Sequence, residues 1–234
     1  MPFFYLKAGK IMELKGKVIN FLGDSITEGS GTTCAENRYD RILLRECELA
    51  AANNYGIGGS RFAYQKKPSE KPRYDLYFCG RVYNLDPNAD IVVVYGGVND
   101  YLHGSAPMGN PDDTTPDTFY GACYFLMNYL KENFEDKPIV FMSPARMFYY
   151  GTSGENLSPR PEKSPDALPL TGYVSIIKEQ AAKFQIPVLD LYENLGIDPA
   201  KEEDRKEYTI DGLHFNDKGH YRLAQMLKSF LQAL

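Results

Sequence analysis

Short apolar runs alternate with longer amphipathic stretches along this chain, and most of the apolar runs stop on glycine or on a small polar residue. Residues 18–22 are the first such run, a predicted buried strand that leads through Gly23 and Asp24 to Ser25. Residues 36–46 then place Tyr39, Ile42 and Leu43 on one helical face with charges opposite. A second strand is expected at about 49–53, running into the glycine-rich sequence Gly56-Ile57-Gly58-Gly59-Ser60. Residues 61–73 are basic and contain proline, which predicts a surface loop. Residues 75–85 carry Leu76, Phe78, Val82 and Leu85 at a spacing compatible with a helix ending before Pro87.

The strongest strand signal is 90–95, β-branched and apolar on both faces, as the centre of a parallel sheet requires. It ends in Gly96-Gly97-Val98-Asn99-Asp100. Residues 118–133 predict a helix with Phe119, Cys123, Leu126, Met127 and Leu130 inward, and 138–142 a strand. Residues 143–168 are aperiodic and rich in aromatics, glycine and proline, and are expected to form a lid or binding loop. A helix at 169–184, with Tyr173, Ile176, Ile177 and Ala181 inward, precedes a fifth strand at 187–191. Residues 198–207 read as a solvated charged face. The last helix is capped by Asn216 and buries Leu223, Leu227, Phe230 and Leu231.

Strand and helix alternate through five strands, so the pairing is parallel, with right-handed crossovers and helices on both faces. The expectation is one three-layer α/β/α domain over residues 1–234, with 1–11 as an optional extension ahead of Met12. A net charge of −5 argues against nucleic acid as a partner. No apolar window approaches a membrane span, and the apolar stretch Phe3-Phe4-Tyr5-Leu6 is too short for a signal-peptide core; a cytoplasmic protein is expected. Cys34, Cys47, Cys79 and Cys123 form no paired motif and read as reduced thiols. His103, His214 and His220 make no helical metal-binding pair, so no metal is expected, and His220 reads as a surface or outer residue.

Ser25, the Gly58-Gly59 loop and Asn99 all fall at or near the C-terminal ends of strands, where open α/β sheets present reactive groups. Each alone has a plainer reading, as a turn or a helix cap. Asp211 and His214 change this. Three residues apart in a loop, they let the carboxylate hold one imidazole nitrogen while the other faces a neighbour, which is what a serine nucleophile needs of its base. Asn99 can offer a side-chain N–H, and Gly59 and Ser25 backbone N–H groups, to an oxyanion; Gly58 is the other amide the loop could present. Asp24, Arg61, Tyr64, Tyr101, His103, Arg146 and Tyr149 are the candidate pocket residues in the adjoining loops.

In order, Gly23-Asp24-Ser25-Ile26-Thr27-Glu28-Gly29, Gly59, Gly97-Val98-Asn99-Asp100 and Asp211-Gly212-Leu213-His214 resemble the four blocks of the SGNH (GDSL-type) esterase and acylhydrolase family. The resemblance spans nearly the whole chain. It implies a flavodoxin-like sheet of order 2-1-3-4-5, with Ser25 as nucleophile, His214 as general base and acid, and Asp211 orienting it. It also implies an oxyanion hole of Ser25, Gly59 and Asn99, and no metal or organic cofactor. Where the family usually has Asp after the second-block glycine, this chain has Ser60. The expected activity is hydrolysis of a short-chain carboxylic ester, an O-acetyl group on a carbohydrate or similar polar alcohol, because the site loops are rich in Tyr, Arg, Asn and Gly. A lysophospholipase or thioesterase is the alternative among enzymes, and a carbohydrate-binding domain without turnover the alternative outside them. Association into a homo-oligomer is left open.

Overall fold

Five parallel strands lie in the order β2-β1-β3-β4-β5 in the computed structural model, which describes residues 11–149, 151–154 and 163–234. They are β1 (Val18–Gly23), β2 (Ala51–Gly56), β3 (Ile91–Tyr95), β4 (Ile139–Met142) and β5 (Val188–Leu189). The helices are α1 (Ser25–Glu28), α2 (Tyr39–Glu46), α3 (Phe78–Arg81), α4 (Val98–His103), α5 (Phe119–Asn133), α6 (Leu170–Lys183), α7 (Leu191–Asn194), α8 (Glu202–Tyr208) and α9 (Asp217–Gln232). β1 sits between β2 and β3, with Gly23 registered against Gly56 on one side and Tyr95 on the other. Three glycine- or polar-rich loops therefore leave the same edge of the sheet side by side.

The strand pattern explains the layers. Along β3 successive side chains point to opposite faces. Val92 and Val94 join Leu22, Phe141, Leu126 and Ile177 in one core, against α5 and α6. Ile91, Val93 and Tyr95 join Phe21, Val140, Leu43 and Leu227 in the other, against α2 and α9. The inward residues expected on α2, α5 and α6 are all buried, as are Leu223, Leu227 and Leu231 of α9, while Phe230 is partly covered. Asn216 caps α9 by accepting the Gly219 amide at 3.1 Å.

Four expectations need correction, the first being the fifth strand, which is Val188–Leu189 rather than 187–191 because Leu191 already opens α7. The second strand is Ala51–Gly56 rather than 49–53, because its pairing to β1 continues to Gly56. Residues 75–85 do not make one helix: a 3-10 turn at Pro72–Asp75, α3 and a second 3-10 turn at Val82–Asn84 replace it. The Phe78 amide is taken by the Arg61 carbonyl (2.8 Å), which breaks the helical ladder and leaves Leu76 exposed. His220 is fully buried, stacked on Tyr39 at 6.0 Å between ring centroids. Residues 1–10 of the expected extension, and Tyr150 and 155–162 of the expected lid, lie outside the described residues. Among the described residues no helix is long and apolar enough to cross a membrane.

Candidate active site

Ser25 opens α1 immediately beyond β1. The carboxylate of Asp24 accepts the Ile26 amide (3.0 Å) and caps the helix, which closes after one turn at Gly29, whose φ of 105° suits glycine. A side chain at Gly23 has no room, since its Cβ would stand 1.8 Å from Thr27 Oγ1. The Gly-Asp-Ser sequence is thus the tight corner that brings the Ser25 hydroxyl to the sheet edge.

The second half comes from residues 209–215, a turn closed by the antiparallel bridge between Thr209 and Phe215. Gly212 adopts φ 85°, and a Cβ there would lie 1.9 Å from the Phe148 carbonyl oxygen. Inside this turn Asp211 Oδ1 accepts the amides of Leu213 (3.0 Å) and His214 (2.7 Å), while Oδ2 lies 2.7 Å from His214 Nδ1. The opposite nitrogen, Nε2, is 2.9 Å from Ser25 Oγ. With the carboxylate as acceptor, Nδ1 carries the proton and Nε2 presents its lone pair to the serine hydroxyl. Burial raises the Asp211 carboxyl, but the hydrogen bonds from His214 outweigh it and hold the group below its ordinary value, ionised.

Beside them lies a set of donors. Gly58 gives its amide to Glu28 Oε2 (2.8 Å) and Ser60 gives its own to Ile57 O (3.2 Å), whereas the Gly59 amide has no acceptor among the described residues. Gly59 has φ 76°, and Tyr74 covers it so closely that a Cβ would meet the ring at 2.1 Å. Asn99 directs Nδ2 to Ser60 O (3.0 Å) and, more weakly, to Asp24 Oδ2 (3.4 Å), and its Oδ1 faces His103 Nε2 (3.1 Å). The other ring nitrogen of His103 faces Arg61 Nη1 (3.3 Å). A guanidinium only donates, so His103 Nδ1 accepts and Nε2–H donates to Asn99. Arg61 is held in turn by Asp75 (2.8 Å) and the Tyr74 carbonyl (3.0 Å).

Ser60 has a role of its own. Its hydroxyl donates to Ile57 O (2.7 Å) and accepts from Arg81 Nη2 (2.9 Å), and the same guanidinium binds the carbonyls of Gly23 (2.7 Å) and Tyr55. Arg81 therefore ties the ends of β1 and β2 to the Gly59 loop. Burial pushes its pKa down to about 10, against the pull of Asp24 and Glu28. Asp24, fully enclosed, is pushed up to about 6 by burial, opposed by the Ile26 amide and by His214 and Arg81.

These groups open into a cavity of about 430 Å³, within the range of small-molecule sites. Ser25, Gly59, Asn99, His103 and His214 line it together with Tyr149, as expected of His103 and Tyr149. Five other expected pocket residues do not. Asp24 is beneath Ser25; Arg61 is 3% exposed behind His103; Tyr101 is 0% exposed and packs edge-on against Tyr173 in the core. Arg146 turns away to stack over Tyr192 (4.5 Å) and pair with Glu193 (3.1 Å). Tyr64 packs instead against Tyr77. In their place Lys71 and Arg73, from the basic, proline-containing segment 61–73 expected to be surface loop, and Tyr74 just after it reach the cavity. Its density of Lys and Arg beside a site block was the available signal.

A family model, the GDSL-like Lipase/Acylhydrolase family, matches residues 21–222. The chain belongs to that family. It is accordingly a hydrolase by family, and the sheet order is that of GDSL hydrolases. A crystal structure of a protein from Lactobacillus plantarum is similar to this GDSL-family chain, with 30% identity and a TM-score of 0.78 over 93% of this chain and 97% of that one. A lipase/acylhydrolase from Enterococcus faecalis shares the fold at 20% identity and a TM-score of 0.59, covering 92% and 95% of the two chains. A structure described as an acetyl xylan esterase does so at 22% identity and a TM-score of 0.59, over 91% and 98%. No curated protein matches the chain.

Proposed function

We propose that this GDSL-family hydrolase cleaves short-chain carboxylic esters, O-acetyl groups on a carbohydrate or similar polar alcohol, through an acyl-enzyme on Ser25. The observation that carries the reading is the continuous relay from Ser25 Oγ to His214 Nε2 (2.9 Å) and from His214 Nδ1 to Asp211 (2.7 Å). His214 takes the Ser25 proton as Oγ attacks the ester carbonyl, and the ionised Asp211 stabilises the imidazolium. The unclaimed Gly59 amide and the Ser25 amide, with the Asn99 amide proton that makes only the long contact to Asp24, receive the oxyanion. One such donor is worth about 3 kcal/mol in the transition state. His214 then returns the proton to the departing alcohol, and water repeats the steps to release the acid.

The short acyl group is supported by the lining. Among the described residues Leu102 and Leu213 are its aliphatic side chains, beside histidines, tyrosines and glycines, which leaves a long alkyl chain little apolar surface. The fold shared with the acetyl xylan esterase is consistent with this. The test is hydrolysis of p-nitrophenyl esters from acetyl to long acyl, with Ser25→Ala and His214→Ala beside the parent. Highest kcat/KM on acetate, falling by at least about 10⁴ in both variants, is expected. Preference for long chains overturns the substrate reading; activity retained by Ser25→Ala overturns the mechanism.

A further inference from the structure

The charges around this cavity run against those of the protein. The chain carries a net −5, yet among the described residues the charged side chains lining the cavity are Lys71 and Arg73, with no carboxylate. The two cations differ. Arg73 is engaged: its guanidinium pairs with Glu28, whose other carboxylate oxygen holds the Gly58 amide, so it serves to latch its segment onto the loop that presents Gly59. Lys71 has no carboxylate partner among the described residues. Its ammonium lies 3.3 Å from the Tyr74 hydroxyl and 5.3 Å from the centroid of that ring.

The backbone under Lys71 is well tied. Its carbonyl accepts the Tyr74 amide (2.9 Å) and the Ser69 hydroxyl (2.7 Å). Ser69 also gives its amide to Asp75 Oδ2 (2.9 Å), and Asp75 is paired with the buried Arg61 at 2.8 Å. The cation thus stands on a hydrogen-bonded corner whose neighbour Tyr74 covers Gly59. Lys66 and Lys67 belong to the same run, opposed within it by Glu70 alone. A lysine whose backbone is held at a cavity wall, with a phenol beside it and no counter-charge among the described residues, presents a point charge and a hydroxyl to one small anion.

We propose that the ester admitted to this cavity carries an anionic group, a carboxylate, phosphate or sulfate, that pairs with Lys71 beside the Tyr74 hydroxyl. The inference rests on the ester-hydrolase reading of the same cavity and narrows its substrate class. Lys71 sets specificity and takes no part in bond breaking.

The test uses 3- and 4-acetoxybenzoate, each beside its neutral amide, 3- or 4-acetoxybenzamide. The quantity read is the ratio of kcat/KM for acid over amide in each variant relative to the parent, so the intrinsic reactivity of the esters cancels. For at least one isomer Lys71→Ala is expected to lower the ratio roughly fivefold, the size of one ion pair in a partly open site, chiefly through KM. Lys71→Glu should lower it further, and added salt should shrink the parent's preference. An unchanged ratio in both variants, for both isomers, overturns the anion subsite while leaving the hydrolase intact. Turnover of none of the four esters by the parent overturns the hydrolase reading and this one with it.

Discussion

His220 supplies a test of the packing from pH alone. It is fully buried on α9, stacked on Tyr39 and edge-on to Phe215, and its Nδ1 accepts the Tyr39 amide at 3.3 Å. Protonation would turn that acceptor into a donor facing another donor. Burial pushes the imidazole down from 6.5 to about 4, despite the pull of Asp40 and Asp217. The unfolded chain therefore takes up a proton near pH 6.5 while the folded protein refuses it until about 4. Stability from this group is whole above 6.5 and is lost as pH falls toward 4, by about 3 kcal/mol in all. Asp24 and Asp100 work the other way: burial pushes both up to about 6, so the folded state takes their protons first and gains stability between about 6 and 3.8. The parent's own pH curve mixes these opposed effects, and a difference between two proteins separates them. His220→Asn keeps an acceptor for the Tyr39 amide and removes the titration. Urea unfolding at pH 7.0 should show the variant less stable, by about 1–3 kcal/mol for the lost packing. By pH 4.5 the gap should close or reverse, moving by roughly 2.5 kcal/mol in the variant's favour. A gap that stays constant between the two pH values would refute the buried, neutral imidazole.

The geometry around Asn99 predicts that His103 acts through it. In p-nitrophenyl acetate hydrolysis His103→Leu should cut kcat about tenfold with KM little changed, His103→Gln should restore part of it, and His103→Leu should add nothing in an Asn99→Ala background; equal losses in both backgrounds would sink the idea. Gly59→Ala should cost about 1–2 kcal/mol for its φ of 76° plus the displacement of Tyr74, and should lower kcat by about 10² or more. Gly58→Ala meets only the end of the Glu28 side chain at 2.8 Å, so a milder loss of Tm and kcat is expected; equal effects at the two glycines would contradict the assignment of the free amide to Gly59.

What the sequence makes legible follows the reach of each physical signal. Residues 90–95 announce a central strand because burial on both faces keeps charge out of the run after Asp90, and β3 (Ile91–Tyr95) is buried throughout. The α5 and α6 faces read correctly because a helix facing a sheet repeats its apolar positions locally. Residues 75–85 carry the same period and still break, since the Arg61 carbonyl, far off in sequence, takes the Phe78 amide. His220, expected at the surface or in an outer position, is buried for a related reason: Tyr39 stacks on it and Phe215 meets it edge-on from other parts of the chain, and a single histidine on an amphipathic helix carries no local mark of that.

The site divides along the same line. Ser25, Asp211, His214, Gly59 and Asn99 sit at corners whose local chemistry is written in the sequence, as glycines at positive φ, an Asx cap and a three-residue spacing, and the structure brings them together around one cavity. Which side chains reach that cavity is decided by loop conformation. Arg61 and Tyr101 lie close to site residues in sequence yet point into the protein, because Asp75 draws in the guanidinium and the α5–α6 core takes the tyrosine. Lys71, Arg73 and Tyr74 reach the cavity through the Glu28 latch and the Ser69–Asp75 corner, contacts that span up to 45 residues and leave no periodic trace. The residues proposed for the reaction are therefore readable from short blocks. The cavity wall where Lys71 stands depends on long-range polar ties, and there the structure adds most to the reading of the sequence.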